Sequence, residues 1–212
     1  MESKVVVITG SGGGVGKALC DIFKQNGWIV CGLNHLSMDV KSIFEVCGVF
    51  DACCSTYGKI DVLINNAAVF KSKLLENCNY EDVDEIVDTN LKGAIFCTME
   101  GIKLMKRGGR VINIGSVAGK HGIASQSLYC ASKHGLMGFS DAMSKERKDI
   151  LFTTVNPGGI NTPLWNESNP YNGNVDDLIS PIDIAKLVHY ISELPDNVVL
   201  KEVTLYPTNE EH

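Results

Sequence analysis

The stretch that most constrains this chain is Val5 to Gly16. Val5, Val6, Val7 and Ile8 are followed by Thr9, Gly10, Ser11, Gly12, Gly13, Gly14, Val15 and Gly16. Four β-branched apolar residues in a row predict a strand buried on both faces. The glycines allow a sharp turn and a close backbone approach to a ligand. Val15, Leu19, Ile22 and Phe23 then recur at helical spacing, so a strand, a glycine turn and a helix N-terminus lie in succession. Such a terminus offers unpaired N–H groups and the positive end of a dipole to an anion, with a phosphate or pyrophosphate as the natural guest.

Spacing narrows the kind of phosphate binder. Gly-x-Gly-x-x-Gly started at Gly10 needs a glycine where Val15 stands, and the nucleotide-triphosphate loop through Gly16 and Lys17 needs glycine and a hydroxyl where Ser11 and Ala18 stand. Both patterns fail. Thr-Gly-x-x-x-Gly-x-Gly does fit, on Thr9, Gly10, Gly14 and Gly16, and resembles the cofactor loop of the short-chain dehydrogenase/reductase family. A tight turn without a ligand is the plain alternative for this loop taken alone.

At 212 residues the chain is long enough for one well-buried core and short for two. A net charge of -6 and a pI near 5.4 provide no basic surface for nucleic acid or an anionic membrane. No apolar run reaches the length of a membrane span, and residues 1–4 lead straight into the first strand, so the expected location is cytoplasmic. The cysteines at 20, 31, 47, 53, 54, 78, 97 and 130 form no Cys-x-x-Cys pair and read as buried reduced thiols, with no metal site expected. Vicinal Cys53 and Cys54 are the one oddity.

The first helix is expected to stop at Asn26-Gly27, and Trp28 to Leu33 gives a second strand, parallel to the first. In dinucleotide folds the end of that strand meets the adenosine ribose, where a carboxylate favours NAD and a cation favours NADP. Here Asn34 and His35 follow, with no Arg or Lys among residues 11–13 or 34–40. This leaves cofactor choice open with a lean to NAD; the alternative is that Asn34 or His35 hydrogen-bonds a phosphate. The resemblance implies a third strand ending at Met38-Asp39-Val40, with Asp39 near the adenine, although the helix that normally precedes that strand has no room. From Ile43 to Tyr57, apolar positions 43, 46, 47, 50, 53, 54 and 57 keep helical period, and Gly58 caps the end.

Ile60 to Ala68 reads as a buried strand ending in Asn65, Asn66, Ala67 and Ala68, where amides can brace neighbouring loops and small residues leave room for a ribose. It resembles the family's Asn-Asn-Ala-Gly signature, with Ala68 in place of the glycine. A long helix is expected from Tyr80 to Lys106, broken near Lys92-Gly93; the resemblance implies that Asn90 within it perturbs the helix and holds a water for proton relay. Arg110 to Ser116 gives another strand, which brings the Ser116 hydroxyl to a strand's C-terminal end. Tyr129 and Lys133, four residues apart, share one face of a following helix.

Moving a hydride at a carbon bearing oxygen requires a proton to move at that oxygen. A free tyrosine, with a pKa near 10, is too weak a base at neutral pH, but an ammonium on the same helix face favours phenolate. Ser116 can orient the substrate oxygen, and Tyr129 can donate or accept the proton. The family resemblance implies a catalytic set of Asn90, Ser116, Tyr129 and Lys133, with Lys133 also holding the nicotinamide ribose. It implies cofactor contacts from Gly10, Ser11, Gly12, Gly14, Val15, Gly16, Asn34, His35, Asp39, Asn66, Ala67, Ala68, Tyr129 and Lys133, and from Pro157, Gly158, Ile160 and Thr162 after the strand Ile150 to Val155. Residues 163–180 are polar and aromatic without sustained period, and read as a short lid whose Trp165 touches substrate; an ordinary surface loop is the alternative. A last helix starts at Ser180-Pro181, and Leu200 to Tyr206 forms the last strand.

The expected fold is a single α/β domain over residues 1–212, a doubly wound parallel sheet of Rossmann type with helices on both faces and the helix between the second and third strands lost. The expected function is an NAD(P)-dependent oxidoreductase interconverting a small alcohol and a carbonyl, of ketone, aldehyde or 3-hydroxy/3-oxo acid type. The ending Val203-Thr204-Leu205-Tyr206-Pro207 resembles relatives acting on 3-hydroxy acids, most of which favour NADP. The alternatives are a non-catalytic dinucleotide-binding or regulatory protein and, more distantly, a phosphoryl-transfer enzyme. A homodimer or homotetramer is what the resemblance implies for assembly.

Overall fold

The computed structural model describes residues 3–167, 169–171 and 173–209. Ser168 and Asn172 of the expected lid, and both chain ends, lie outside the described residues. Strand β1 (Val5–Thr9) is buried along its whole length, as its β-branched run requires. It pairs in parallel with β2 (Ile29–Leu33) on one side and β3 (Val62–Asn65) on the other. β4 (Arg110–Ile114), β5 (Leu151–Pro157) and β6 (Glu202–Leu205) extend the sheet to a six-stranded parallel order β2-β1-β3-β4-β5-β6. The chain leaves β1 in one direction and returns on its other side, so the crevice between the carboxyl ends of β1 and β3 is the switch point where α/β sheets hold ligands.

Two cores cover the two faces. Val6, Ile8, Val62, Ile64 and Ile112 meet α1 (Gly14–Gln25) and α6 (Pro181–Ser192). Val7, Leu63 and Val111, the alternate residues of the same strands, meet α2 (Ile43–Tyr57), α4 (Gly93–Gly101) and α5 (Ser127–Glu146). The period of two along each strand builds both cores at once. Ser42 caps α2 by accepting from the Glu45 N–H, and Gly58 ends it at φ +69, a left-handed conformation that glycine adopts without strain. α3 (Tyr80–Val87) starts in a capping box between Asn79 and Asp82, and Asp82 also binds Lys71 and Lys73 at 2.8 Å each.

Three expectations need correction. Met38, Asp39 and Val40 form no strand; the segment turns, and Met38 and Val40 are buried as plugs against the α2 side of the core. With only a few residues between β2 and α2, the chain has no length for a crossover, so both the helix and the outer strand are missing and β2 forms the sheet edge. On α2 only Val46, Phe50 and Cys53 are buried, while Cys54 and Tyr57 are exposed, so the apolar face is narrower than the spacing implied. The helix expected from Tyr80 to Lys106 with a break near Lys92-Gly93 is α3, a π-helical turn (Asp88–Lys92) and α4, and it ends at Gly101, short of Lys106.

The strand–helix contact at the glycine loop is tighter than any side chain allows. A Cβ on Gly16 would lie 2.0 Å from the Gly10 carbonyl oxygen, whereas a Cβ on Gly13 would meet nothing within 4 Å. Gly16→Ala is expected to lower the urea midpoint by an amount equivalent to about 1–3 kcal/mol or more. Gly13→Ala, at an extended helix N-cap, should stay within about 0.5 kcal/mol of the parent.

Candidate active site

At the switch point the ends of β1 and β3 are locked together. The Thr9 hydroxyl accepts from the backbone N–H groups of Asn66 and Ala67, both at 3.0 Å. The Asn66 amide returns across the gap to the carbonyls of Thr9 at 3.0 Å and Gly10 at 3.1 Å. Behind them Asn65 is buried and donates to Thr98 Oγ1 and Asn113 Oδ1 at 3.0 and 2.9 Å, tying β3 to α4 and β4. The strand-end amides thus brace the loops, as their position implied.

A cavity of about 700 Å³ opens above this lock. Its floor is the glycine turn, with Gly10, Gly13, Gly14 and Val15 at its lining. Gly10 and Gly14 have φ of +67 and +50, and Gly13 opens α1 with no side-chain cap, leaving the first N–H groups of a 12-residue helix without a side-chain acceptor. A cradle that glycine alone can form, at the start of a helix, fits a pyrophosphate. Asn66 and Ala68 line one side, and Pro157, Gly158, Ile160 and Thr162 line another. Ser11, Gly12, Gly16 and Ala67, also expected at the cofactor, are not among the residues that line the cavity. Gly12 also backs onto Asn34, whose Cβ would lie 3.3 Å from an added Gly12 Cβ.

Ser116, Tyr129 and Lys133 share the opposite wall of the same cavity. Ser116 stands just past β4, its N–H donating to Asn156 Oδ1 at 3.3 Å. Its hydroxyl lies near enough to Tyr129 to pull the phenol's pKa down. Lys133, buried one helical turn beyond Tyr129, donates to the Ile114 carbonyl at 2.8 Å and lies 5.6 Å from the centre of the Tyr129 ring. Burial pushes the Tyr129 phenol up to about 12, against the downward pull of Ser116, and brings the Lys133 ammonium down to about 8. Desolvation dominates at Tyr129, which is a neutral phenol at neutral pH.

Asn90 is placed differently from the other three. It sits in the π-helical turn, buried and outside the cavity lining, accepting from the Val69 N–H at 2.8 Å and donating to the Val69 carbonyl at 2.9 Å and Ser132 Oγ at 3.1 Å. Ser132 in turn donates to the Tyr129 carbonyl at 2.8 Å, so Asn90 joins the β3 loop to the helix that carries the tyrosine. Asn34, His35 and Asp39 lie along the β2 side, also outside the lining. Asn34 Oδ1 accepts from the Leu36 and Ser37 N–H groups, and Asp39 accepts from the Lys41 N–H and pairs with its ammonium at 3.7 Å; His35 is exposed.

The upper wall contains residues that sequence reasoning did not single out. The Phe70 ring stands edge-on to Tyr129 at 5.0 Å and to Trp165 at 5.5 Å, and Trp165 meets Tyr171 at 5.1 Å. Trp165 is fixed by its Nε1–H on the Ile160 carbonyl at 2.9 Å. Buried Asn169 accepts from the Ser72 N–H at 2.9 Å and donates to the Phe70 carbonyl at 3.2 Å, fastening residues of the 163–180 segment over the cavity. Asn156 reaches on to Glu202 at 3.2 Å. These links join residues far apart in the chain, and no local pattern announces them.

Comparison with known proteins agrees with this fold. The sequence profile of the short chain dehydrogenase family matches residues 32–173. The chain is 31% identical over 192 residues to 3-oxoacyl-[acyl-carrier-protein] reductase of Vibrio cholerae, covering 80% of this chain and 78% of that one. It is 33% identical over 183 residues to sepiapterin reductase of Chlorobaculum tepidum, covering 82% and 72% respectively. In fold it is similar to an alcohol dehydrogenase from the archaeon Thermococcus sibiricus, with a TM-score of 0.88 at 22% identity over 100% of this chain and 99% of that one. A nucleotide-type α/β sheet with a hydroxyl, phenol and ammonium at its switch point is the class that fold and site define. The chain belongs to the short-chain dehydrogenase family and is an oxidoreductase acting on CH–OH groups.

The Lys133 shift has a signed consequence. Between about pH 8 and 10 the unfolded chain binds a proton that folded Lys133 has lost, so stability rises with pH there, and the cost of burying the charge is felt in full below that window. Wild type should therefore gain on the order of 1–3 kcal/mol relative to Lys133→Met between pH 8 and 10 in urea denaturation. Above pH 10 the raised Tyr129 adds the opposite slope.

Proposed function

We propose that this chain interconverts a small alcohol and its carbonyl with NAD(P)(H), using Tyr129 as the general acid/base. One observation carries the reading: Ser116, Tyr129 and Lys133 occupy one wall of a cavity whose floor is the glycine cradle at the start of α1. Gly10, Gly13, Gly14 and the α1 N-terminus would hold the pyrophosphate, with Asn66, Ala68 and the 157–162 strap around the rest of the dinucleotide. The dinucleotide would supply or accept the hydride. Ser116 would donate a hydrogen bond to the substrate oxygen, and Tyr129 would give that oxygen its proton in reduction or take it in oxidation. A phenol held neutral in the cavity is already in the form that reduction needs. Lys133, fixed on the Ile114 carbonyl, would set a positive field beside the developing oxyanion. Asn90 supports this through position, holding the Val69 loop and the Tyr129 helix in register.

Trp165 and Phe70 bound the space beside Tyr129, so a small or flat substrate fits better than a bulky one. The cofactor lean is to NAD, because no Arg or Lys occurs at 11–13 or 34–40 and Lys41 is paired with Asp39. In titrations followed by fluorescence at fixed salt, NADH is expected to bind more tightly than NADPH; the reverse order would transfer the preference to NADP.

Tyr129→Phe is expected to keep dinucleotide affinity while losing about 10²–10⁴ of turnover on a panel of small carbonyls. Unchanged turnover in that variant would remove Tyr129 from the mechanism. Dinucleotide binding by wild type without turnover on any member of the panel would favour a non-catalytic binding protein.

A further inference from the structure

The loss of the outer strand and its helix leaves a pair of thiols on the open side of the sheet. Cys31 lies in β2, in register with Val7, whose side chain belongs to the core on the α2 face. Its neighbour Gly32 turns to the opposite face, where an added Cβ would lie 3.1 Å from Cys20 Sγ. Strand alternation therefore separates Cys20 from Cys31 and aims Cys31 at α2. There it packs against the cluster that contains Val46, Phe50 and Cys53. The Cys31 thiol interacts with the Cys53 thiol and with the Tyr57 hydroxyl.

We propose that Cys31 and Cys53 are a redox-active pair that a hydroperoxide converts to a reversible disulfide tying β2 to α2. Cys31 is half-buried at the sheet edge, whereas Cys53 is only 6% exposed, so Cys31 is the thiol an oxidant reaches first. Hydrogen bonding to Cys53 holds the Cys31 thiol below the usual thiol range, and the same contact together with burial raises Cys53, which makes Cys31 the attacking group. The Cys31 thiolate attacks one peroxide oxygen and breaks the O–O bond. The sulfur is oxidised to a sulfenic acid, and the other oxygen leaves as hydroxide or alkoxide and takes up the proton that Cys31 released on ionising, so that water or the alcohol departs. The Cys53 sulfur then displaces the sulfenic hydroxyl, forming S–S, and the released hydroxide takes the Cys53 proton to leave as water. A dithiol reductant reverses the bond by exchange.

Neither Cys97 nor Cys54 offers the same chemistry. Cys97 is fully buried in α4, and Cys54, next to Cys53 in sequence, is exposed on the other side of the helix. Among the described residues no group of three or more His, Cys, Asp or Glu is placed to hold a metal ion, so the pair is not part of a metal site.

The test is a non-reducing peptide map of the full-length wild-type protein, fully reduced, freed of reductant, exposed to hydrogen peroxide and then alkylated. The expected product is a Cys31–Cys53 linked peptide lighter by two hydrogens than the sum of its parts. It should form in most chains, disappear with dithiothreitol, persist in Cys54→Ser and be absent from Cys53→Ser. The proposal is overturned if both thiols remain alkylatable after peroxide, if they are oxidised without joining, or if the linkage formed runs through Cys54. The wild-type map decides the matter even if a variant fails to fold.

Discussion

The hydrogen bonds between Thr9 and Asn66 hold together the two strand ends that carry the glycine cradle and the floor of the cleft. β1 and β3 are neighbours in the sheet, but beyond Thr9 and Asn65 the ladder stops and each chain departs in its own direction. A hydroxyl accepting two backbone N–H groups and an amide donating to two carbonyls replace the ladder at that point. All these groups are at least partly buried, so losing one partner strands the others away from water. The glycine cradle is positioned by this lock from one side and by the approach of Gly16 to the Gly10 carbonyl from the other.

A second set of contacts positions the chemistry. The π-helical turn puts Asn90 where a regular helix would place it off line, and its side chain then spans Val69 and Ser132. π-turns of this kind are concentrated at functional sites because the inserted residue costs helix stability and persists only where something uses it. Here the user is α5, whose first turns carry Tyr129 and Lys133. On the far side Asn156 presents an acceptor to the Ser116 N–H and passes a donor to Glu202, so the serine is fixed from β5 and β6. Tyr129 and Ser116 are thus each held by a buried asparagine that does not line the cavity.

Much of this was legible in the sequence, and the reasons are specific. The β-branched run at Val5 to Ile8, the period of α2 with its Gly58 stop, and the Ser180-Pro181 helix start are local signals, and local physics decides them. Strand-end placement of Ser116 and the shared helix face of Tyr129 and Lys133 pointed toward the crevice, and the family resemblance implied that they act together. The reading failed where a pattern was present but its structural context was not. Met38-Asp39-Val40 has the composition of a strand end, yet the chain on either side is too short to carry it across the sheet. Phe70, Asn156 and Asn169 were overlooked because their partners lie far away in the chain and each has an unremarkable local setting.

The sheet that ends at β2 also separates two properties that usually move together. The segment of residues 34–42 runs beside the cleft but contributes no ladder, and it is held mainly by Met38 and Val40 dipping into the core. Leu36 is 85% exposed, and His35 and Ser37 beside it are exposed as well. Changes at such positions cost little folding energy. Whatever selectivity this side of the cleft exerts is therefore free to drift while the lock at Thr9 and Asn66 stays fixed, so that in descendants of this chain ligand preference can diverge faster than the fold.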